Sequence, residues 1–397
     1  MTGLIHRWRR PMRPAEPDEA RPPRPGPTSG CDAADASVLS VRTERLRWRC
    51  DRDYLWLING PDAPDWMNLS AEPAAELVKR SGPRQVWRLC LGRHELFAKI
   101  YRPVTFTDHL RRLLRGSASR NERRVARYAL QAGLHAPLPV ACGQTNHRWL
   151  GRDDILITQA VSSALPLNVR WLQICQLADR WQRYRQGRLL GEALAYSLAR
   201  AHQSGLQHPD LHAANLLVEP AEEGPPRIVF VDLQAARTGR PVGDRAVIKN
   251  LVQLNQWFQR HASRTDRLRF LKQYLLYRQR FASLEHARQL GIAYPAIVAR
   301  IQRRARRHAA RLWAKRDRTA VRDGRYFARI SLPGGWRGHV FLQAKKPLPG
   351  SRASGLVFTR AQWQRWLANP LQWVDPGCQQ LVKGSHTATV CRAYLPV

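Results

Sequence analysis

The stretch that most constrains this chain is a polar loop followed by two short apolar runs. The loop His208–Asn215 (HPDLHAAN) leads into Leu216–Val218, and a second run, Ile228–Val231, is followed directly by Asp232. The residues between the runs are rich in Pro, Gly and Glu, which predicts an antiparallel hairpin. Since the chain enters and leaves a hairpin at its open end, we expect Asn215 and Asp232 to lie close together.

Oxygen-bearing side chains at this open end suit a hard cation. The amide oxygen of Asn215 and the carboxylate of Asp232 are ligands that Mg²⁺ prefers, with waters and substrate phosphates completing its shell. Asp210 lies five residues before Asn215, and its carboxylate can accept a proton from a hydroxyl. This layout is typical of a phosphotransferase catalytic loop. An ordinary hairpin whose Asp and Asn cap turns would explain each residue singly, but not the set.

In its form HxDLHxxN, with Asp-Leu-Gln at 232–234, this stretch resembles the catalytic segment of the protein-kinase-like superfamily. It is most similar to the lipopolysaccharide core kinase family, whose members phosphorylate Kdo or heptose sugars; aminoglycoside phosphotransferases are more distant. The resemblance implies an α+β, two-lobed protein-kinase-like fold with a β-rich N-lobe and an α-helical C-lobe. It also implies a phosphotransferase with an alcohol group as acceptor, which uses ATP and Mg²⁺.

The resemblance assigns a role to each polar residue of the loop. Asp210 would be catalytic, orienting the acceptor hydroxyl and taking its proton, and Asn215 and Asp232 would hold Mg²⁺ across the β- and γ-phosphates. We interpret His208 and His212 as structural residues of the catalytic loop, with a contact to a phosphate as the alternative for His212. Because Asp-Leu-Gln lacks the Phe whose packing switches protein kinases, we expect no regulation through an activation loop.

A lysine upstream of the loop is expected to contact the nucleotide. Ala75–Arg102 has the pattern of a three-stranded meander, and in its third strand Lys99 is flanked by apolar residues, so that it needs a compensating anion. By resemblance, that anion is the α- and β-phosphates of ATP, and Glu122 pairs with Lys99. A Glu in the first turn of a helix is also favoured by the helix dipole alone, which leaves a second explanation for Glu122.

Two further backbone contacts with the nucleotide follow from the resemblance. The turn between the first two strands of the meander would cover the phosphates, but it carries Gly82 without a GxGxxG pattern. That departure weakens it as a phosphate cradle. The strand Ile155–Ala160 would be the hinge between the lobes, and the backbone of Gln159 and Ala160 would meet the adenine.

Apolar residues at helical spacing predict the helices of the chain. The polar, Trp-rich segment Leu167–Arg188 is expected to be helical and to vary with the acceptor in such a family. The other predicted helices are Asn121–Gly133, Leu189–His202, Asp244–Arg260, Arg264–Arg280 and Ala299–Arg318.

Composition and motifs together predict four segments. Residues 1–36, rich in Arg, Pro and Gly, are predicted to be a disordered basic tail. Residues 37–160 are predicted to form the N-lobe, and 161–330 the C-lobe with the catalytic loop. Residues 331–397 are interpreted as a C-terminal appendage that could be the shortened start of a second kinase-like domain.

A partial repeat underlies the last of these interpretations. Leu381–Leu395 aligns with Leu77–Leu91 and shares Leu, Val, Lys, Ser, Val, Arg and Leu with it. We read it as a second copy of the opening hairpin of the N-lobe. The alternative is chance similarity between two short pairs of strands.

The charge of the chain is unusual. It has 66 Lys and Arg against 30 Asp and Glu, a formal net charge of +36. Such a field attracts nucleic acid, anionic lipid headgroups or phosphorylated glycans, although a GC-rich genome would also raise the Arg content. Basic residues heavily outnumber acids between Arg303 and Arg329. This run is either a solvated helix face or a docking surface for anionic groups.

Other features bear on the compartment. The seven cysteines are scattered without a CxxC pair, which favours a reducing cytosol. The N-terminus lacks a continuous apolar core, and no run reaches the ~18 apolar residues of a membrane span. We therefore expect a cytoplasmic protein, peripheral on the inner face of the bacterial inner membrane. Its expected partners are ATP, a lipid-linked or anionic sugar acceptor and the anionic membrane, with no specific nucleic acid.

Three functions remain open. The first is an ATP-dependent kinase of a sugar hydroxyl in the lipopolysaccharide inner core (heptose or Kdo) or a similar glycolipid. The second is a kinase-like phosphotransferase that acts on a soluble small molecule or a protein. The third is a non-enzymatic basic protein that binds membranes or nucleic acid; it explains the charge but not the presence of Lys99, Asp210, Asn215 and Asp232.

Overall fold

A computed structural model of the protein describes most of the chain. The basic tail predicted for residues 1–36 lies outside the described residues, as does most of the connector that follows Tyr101. The chain forms two compact units, which divide at 123/124, 137/138 and 160/161. The described residues are 38–82, 84–103, 105, 116–146, 153–221, 224–282, 294–335, 337–343, 358–368, 380–384 and 389–392.

The first unit is built on a seven-stranded sheet in which every neighbouring pair is antiparallel. The order across the sheet is β1-β2-β6-β7-β5-β4-β3. The meander predicted within Ala75–Arg102 is confirmed as β3, β4 and β5. The strands are β1 (Val38–Arg42), β2 (Leu46–Asp51), β3 (Ala75–Ser81), β4 (Arg84–Leu91), β5 (His94–Tyr101), β6 (Pro139–Thr145) and β7 (Asp154–Gln159). A short helix, α1 (Trp56–Asn59), follows β2.

The two faces of β5 have different environments. Leu96, Ala98 and Ile100 are at most 1% exposed and belong to the apolar core of this unit. Successive side chains of a strand point to opposite faces, so Lys99 and Tyr101 lie on the other, half-buried face. The alternation therefore separates the lysine from the core while keeping it on a rigid central strand.

The second unit is mainly helical. It contains a small sheet of order β10-β9-β8, formed by β8 (Leu165–Pro166), β9 (Leu216–Glu219) and β10 (Arg227–Phe230). Helix α2 begins in the first unit and ends in the second. The larger helices are α2 (Ala118–Gln131), α3 (Leu167–Cys175), α4 (Arg180–Gln203), α5 (Asp244–His261), α6 (Arg264–Phe281) and α7 (Tyr294–Ala320).

Two helix boundaries correct the sequence-based expectations. Helix α4 begins at Arg180 rather than Leu189, because the Asp179 side chain accepts a hydrogen bond from the Trp181 N–H and caps the helix there. The segment Leu167–Arg188 is accordingly α3 plus the first turns of α4. Helix α2 begins at Ala118, which places Glu122 beyond the first turn. The helix dipole therefore does not account for Glu122, since its effect falls off within that turn.

The C-terminal part has two small elements. The hairpin of β11 (Phe327–Ser331) and β12 (Arg337–Phe341), with α8 (Arg360–Trp366), encloses a small apolar cluster. Farther on, β13 (Gln380–Gly384) pairs with β14 (Thr389–Arg392).

The β13–β14 ribbon has the same register as the β3–β4 ribbon. Leu381 faces Cys391 and Lys383 faces Val390, with a register shift between these pairs. Leu77 faces Trp87 and Lys79 faces Val86, with a shift at the same step. This agreement of the two backbones supports the predicted repeat, which stays a prediction.

Across the part of the chain that the structure describes, no helix is both long and apolar enough to cross a lipid bilayer.

The glycine after α4 allows the chain to turn towards the loop His208–Asn215. Gly205 has a φ of +86°, and a Cβ there would collide with the carbonyl oxygen of Gly239. We expect Gly205→Ala to lower the free energy of unfolding by about 1–3 kcal/mol or more, because it adds a left-handed alanine to a steric clash. Denaturant unfolding measures this change.

Gly191 provides the matched control for this substitution. It lies inside α4, and a Cβ there has no atom within 4 Å. Gly191→Ala should stabilise the protein by up to about 1 kcal/mol through helix propensity. Equal effects of the two substitutions would contradict the conformational role of Gly205.

Candidate catalytic site

The predicted hairpin is present, with its open end at the catalytic loop. β9 and β10 pair antiparallel from Leu216↔Phe230 to Glu219↔Arg227. Next to the Leu216–Phe230 pair, at the open end of the hairpin, the Val231 N–H donates to the Asn215 carbonyl at 3.1 Å. The backbone thus places Asn215, where the chain enters the hairpin, next to Val231, the residue before Asp232, as expected from the sequence.

The side chain of Asn215 is oriented by hydrogen bonds within the loop. It closes a 3₁₀ turn, Ala213–Asn215, and is 8% exposed. Its Nδ2 donates to the Asp210 carbonyl at 2.9 Å, and the His212 N–H donates to the same carbonyl at 3.1 Å. Because the amide nitrogen is used in this way, the amide oxygen is the atom left for a cation.

Asp232 has an uncommon backbone conformation. Its φ and ψ are 62° and 46°, in the left-handed region, immediately before the 3₁₀ turn Leu233–Ala235. Non-glycine residues seldom adopt this region, although Asp and Asn are enriched among those that do. Such conformations cluster at functional sites, where the surrounding structure imposes them. The chain accepts this strain at the residue predicted to hold the metal.

The carboxylate of Asp210 is accessible. Its side chain is 68% exposed, and one oxygen lies 3.4 Å from Nε2 of His212, which is itself 44% exposed. An exposed carboxylate on a fixed loop can be approached by an acceptor hydroxyl. The contact with His212 was not predicted, because the sequence indicated only that both residues belong to the loop.

His208 makes the contacts of a bracing residue. Its Nε2 lies 3.0 Å from the Val231 carbonyl, and its Nδ1 accepts from the Asp210 N–H at 3.3 Å. Burial lowers the pKa of its imidazole, against the opposing effect of the bond to Val231. A neutral ring with one donor and one acceptor satisfies both contacts. It therefore ties the start of the loop to the exit of the hairpin.

A buried polar network beneath the loop was missed by the sequence analysis. Nδ2 of Asn250 donates to the His208 carbonyl at 2.6 Å, and Nε2 of Gln253 donates to the Pro209 carbonyl at 2.8 Å. Oδ1 of Asn250 accepts from Nε2 of His202 at 3.2 Å, and Nδ1 of His202 lies 2.7 Å from the Tyr274 hydroxyl. The available signal was an asparagine within the apolar stripe of α5.

In the first unit, Lys99 and Glu122 form an ion pair and hydrogen bond. Their side chains are 12% and 5% exposed, and the Tyr101 hydroxyl donates to the second carboxylate oxygen at 3.1 Å. The structure thus brings together the two residues that the resemblance paired. Tyr101 is an additional partner that the sequence did not indicate; its position two residues beyond Lys99 on the same strand face was the available clue.

The three predicted backbone contacts of the first unit are placed as follows. Gly82 forms the exposed turn between β3 and β4, with a φ of +56°. The Gln159 N–H donates to the Leu138 carbonyl, and the Ala160 N–H donates to the Glu95 carbonyl, each at 2.9 Å. Both N–H groups are therefore used within the unit and do not provide donors for an adenine contact.

The donor set fits the expected metal ion. Asn215 and Asp232 offer an amide oxygen and a carboxylate, which suit Mg²⁺. Among the described residues, no group of three or more His, Cys, Asp or Glu side chains is placed to hold a metal.

Comparison with known proteins identifies the family. Residues 67–274 match the profile of the lipopolysaccharide kinase (Kdo/WaaP) family. The chain belongs to this family. It is therefore a phosphotransferase with an alcohol group as acceptor, and its sheet-based first unit and helical second unit confirm the predicted α+β, protein-kinase-like fold class.

The chain is also similar to parts of solved kinase structures. WaaP in complex with acyl carrier protein is 22% identical, with a TM-score of 0.48, over 66% of this chain and 98% of that chain. The kinase domain of Mycobacterium tuberculosis PknI, a double mutant, is 17% identical, with a TM-score of 0.30, over 46% of this chain and 71% of that chain. No curated protein matches the chain significantly.

The buried network predicts a pH dependence of stability. Burial lowers the pKa of His202 from 6.5 to about 4. Between these values the unfolded chain binds a proton that the folded chain rejects, so the free energy of unfolding should fall as the pH falls through this window. The expected loss from His202 is about 3 kcal/mol, measured by denaturant unfolding at several pH values.

A His202→Gln variant should show a flatter stability profile between pH 6.5 and about 4 than the wild type. His308, exposed on α7, offers a matched histidine, and His308→Gln should keep the wild-type slope. An unchanged slope in His202→Gln would show that His202 does not carry this pH dependence.

Proposed function

We propose that the protein is an ATP-dependent kinase that phosphorylates a sugar hydroxyl, heptose or Kdo, of the lipopolysaccharide inner core or a similar glycolipid. The observation that carries the proposal is the open end of the β9–β10 hairpin. At that end, Asn215 of the loop that carries Asp210 is hydrogen-bonded to Val231, the residue before Asp232. The chain that carries this arrangement belongs to the lipopolysaccharide kinase family.

Asp210 is the residue we assign to the acceptor. A sugar hydroxyl is a weak acid, and phosphoryl transfer passes through a loose transition state, so that positioning matters more than proton removal. The exposed carboxylate of Asp210, carried on a loop held by Asn250 and Gln253, meets that need. It orients the hydroxyl and accepts its proton as the hydroxyl oxygen bonds to the γ-phosphorus, while the bond from that phosphorus to the β–γ bridging oxygen breaks and ADP leaves.

Asn215 and Asp232 are the residues we assign to Mg²⁺, through the amide oxygen and the carboxylate. When bound, the ion neutralises charge on the β- and γ-phosphates. Lys99, positioned by Glu122, is assigned to the α- and β-phosphates. A cation kept in a half-buried site by a carboxylate is already oriented when the nucleotide arrives. The turn at Gly82 and the carbonyls of Gln159 and Ala160 complete the proposed nucleotide contacts.

The decisive measurement is phosphate transfer from ATP by the full-length protein with Mg²⁺ and deacylated core oligosaccharide. Asp210→Asn should lower kcat by about 10²–10⁴-fold, the usual contribution of a positioned acid or base. Asp317→Asn, which changes an exposed aspartate on α7, should leave kcat unchanged. Equal turnover by Asp210→Asn and the wild type would refute the assignment.

Two further variants test the other roles in the same assay. Asp232→Asn keeps a residue that tolerates the left-handed conformation and should raise the Mg²⁺ concentration needed for half-maximal rate. Lys99→Met should raise KM for ATP more than KM for the sugar. A panel of soluble acceptors separates the proposed function from the alternative, a kinase of a small molecule or a protein.

We infer that the protein also contacts the anionic inner face of the membrane, through α7. Of the 27 residues of this helix, nine are Lys or Arg and one, Asp317, is acidic. Trp313 is 44% exposed, and two guanidinium groups lie over its ring, that of Arg260 at 4.9 Å and that of Arg316 at 5.0 Å from the centroid. Basic residues near anionic lipid each contribute about 1 kcal/mol, and tryptophan favours the interface between water and lipid.

Co-sedimentation with vesicles tests this contact. Vesicles of phosphatidylglycerol and phosphatidylcholine should retain the protein, and Arg304→Glu/Arg307→Glu/Arg311→Glu should release it. The control Arg42→Glu/Arg45→Glu/Arg49→Glu makes the same charge change at exposed positions of the first unit and should stay bound. Equal release of both triple variants, or retention on duplex DNA instead of vesicles, would contradict the assignment to α7.

A further inference from the structure

The second unit contains a cavity that the proposed catalytic residues do not line. It has a volume of about 880 Å³ and lies among α3, α4, α5, α6 and α7. Ligand sites commonly have volumes of about 300–1,000 Å³. Asp210, Asn215 and Asp232 are not among its described lining residues. The cavity therefore needs an explanation beyond the chemistry of the loop.

The floor of the cavity is apolar. Trp171, Leu254, Phe258 and Leu271 belong to it, and the rings of Trp171 and Phe258 pack edge to face at 5.5 Å. Nε1 of Trp171 donates to the His261 carbonyl at 2.7 Å, so the polar atom of the indole is already satisfied. Hydrocarbon gains by contact with such a floor, whereas a free sugar would lose hydrogen bonds to water.

The rim of the cavity is cationic. Seven of its described lining residues are Lys or Arg, against two acids. Arg180 and Arg183 lie in the first turn of α4, and Arg264 and Arg267 lie in the first turn of α6. Arg188, Arg269 and Lys272 lie farther along these helices. Each helix also directs the positive end of its dipole to its first turn, which favours an anion.

The charges on the rim are not balanced within the cavity. Asp266 already accepts from Ser263 and lies 3.7 Å from Arg269, and Glu192 accepts from the Tyr277 hydroxyl. Nε of Arg267 is buried without a hydrogen-bond partner in the described structure. A buried donor without a partner is destabilising, and an anion at the rim would provide one.

We propose that this cavity binds the lipid end of the acceptor, with an acyl chain on the apolar floor and its phosphate group at the arginines that begin α4 and α6. The inference rests on the proposed function and extends it, because it names a second part of the acceptor that the enzyme recognises. Segment Leu167–Arg188, which lines part of the cavity, is also the segment that the family resemblance led us to expect to vary with the acceptor.

The first experiment measures binding, independently of catalysis. Calorimetry on the full-length protein uses dodecyl phosphate below its micelle concentration, with inorganic phosphate and an uncharged dodecyl glycoside as comparison ligands. Dodecyl phosphate should bind more tightly than both, because it satisfies floor and rim together. If inorganic phosphate or the uncharged glycoside binds equally well, or if dodecyl phosphate does not bind, the proposal is overturned.

Two variants locate the binding. Arg267→Gln removes a cation at the rim and should weaken dodecyl phosphate binding by about tenfold or more, the scale of a charge-assisted hydrogen bond. Arg245→Gln, an exposed arginine in the first turn of α5 that does not line the cavity, is the matched control. Equal losses in both would indicate a general charge effect and refute the site.

A second test variant, Gly187→Leu, fills part of the cavity and is expected to keep the fold. Gly187 lies in α4, and a Cβ there would be 3.9 Å from the ring of Trp171 and 4.0 Å from Ile174. Gly187→Leu adds bulk at this point and a better helix former. It should weaken dodecyl phosphate binding while the unfolding temperature is maintained. Unchanged binding in a folded Gly187→Leu would overturn the placement of the chain.

Turnover then links the cavity to the acceptor. Gly187→Leu should lower kcat/KM for the intact lipid-linked acceptor and leave it unchanged for the deacylated oligosaccharide. An equal fall with both acceptors would refute a lipid-binding role. If the wild type turns over neither acceptor, the proposed function fails, whereas the calorimetry still decides whether the cavity binds a phosphorylated alkyl chain.

Discussion

The hydrogen bond from the Asn250 amide to the His208 carbonyl is the contact on which the candidate site depends. It connects the backbone of the catalytic loop to α5, and through His202 and Tyr274 to α4 and α6, within one buried network. Buried polar groups are costly without partners but specify a single arrangement when all are satisfied. Here Asn250 and Gln253 bind the carbonyls of His208 and Pro209, so the exposed carboxylate of Asp210 follows a backbone that is hydrogen-bonded to α5.

Within the loop, a buried, hydrogen-bonded side chain and an exposed one lie only a few residues apart. Asn215 is 8% exposed, whereas the Asp210 side chain is 68% exposed, five residues earlier. The buried member is oriented by the carbonyl of the exposed one, through the Nδ2 contact at 2.9 Å. Under the proposed function, a fixed direction suits the metal-binding role assigned to Asn215, and an open position suits the role assigned to Asp210 towards the acceptor hydroxyl. The separate Lys99–Glu122 pair in the first unit follows the same logic, with Tyr101 as an additional partner of the carboxylate.

The parts that sequence predicted are those fixed by local patterns. The hairpin follows from two apolar runs around a turn, and α5 and α6 from helical spacing, so these were right to within a residue or two. The early start of α4 depends on one cap at Asp179, which a search for apolar periodicity passes over. Two partners of Asn250, His208 and His202, lie 42 and 48 residues away in the chain, so only the tertiary fold brings them together. For the same reason the sheet contacts that use the Gln159 and Ala160 N–H groups could not be foreseen.

The matching ladders of β3–β4 and β13–β14 bear on the history of the chain. In each ribbon the first strand advances two residues while its partner advances one, so Val78 and Val382 occupy the same extra position. β-bulges are conserved within families. If the ribbons descend from a common precursor, the insertion is older than the copying event, and the ancestral strand already carried it.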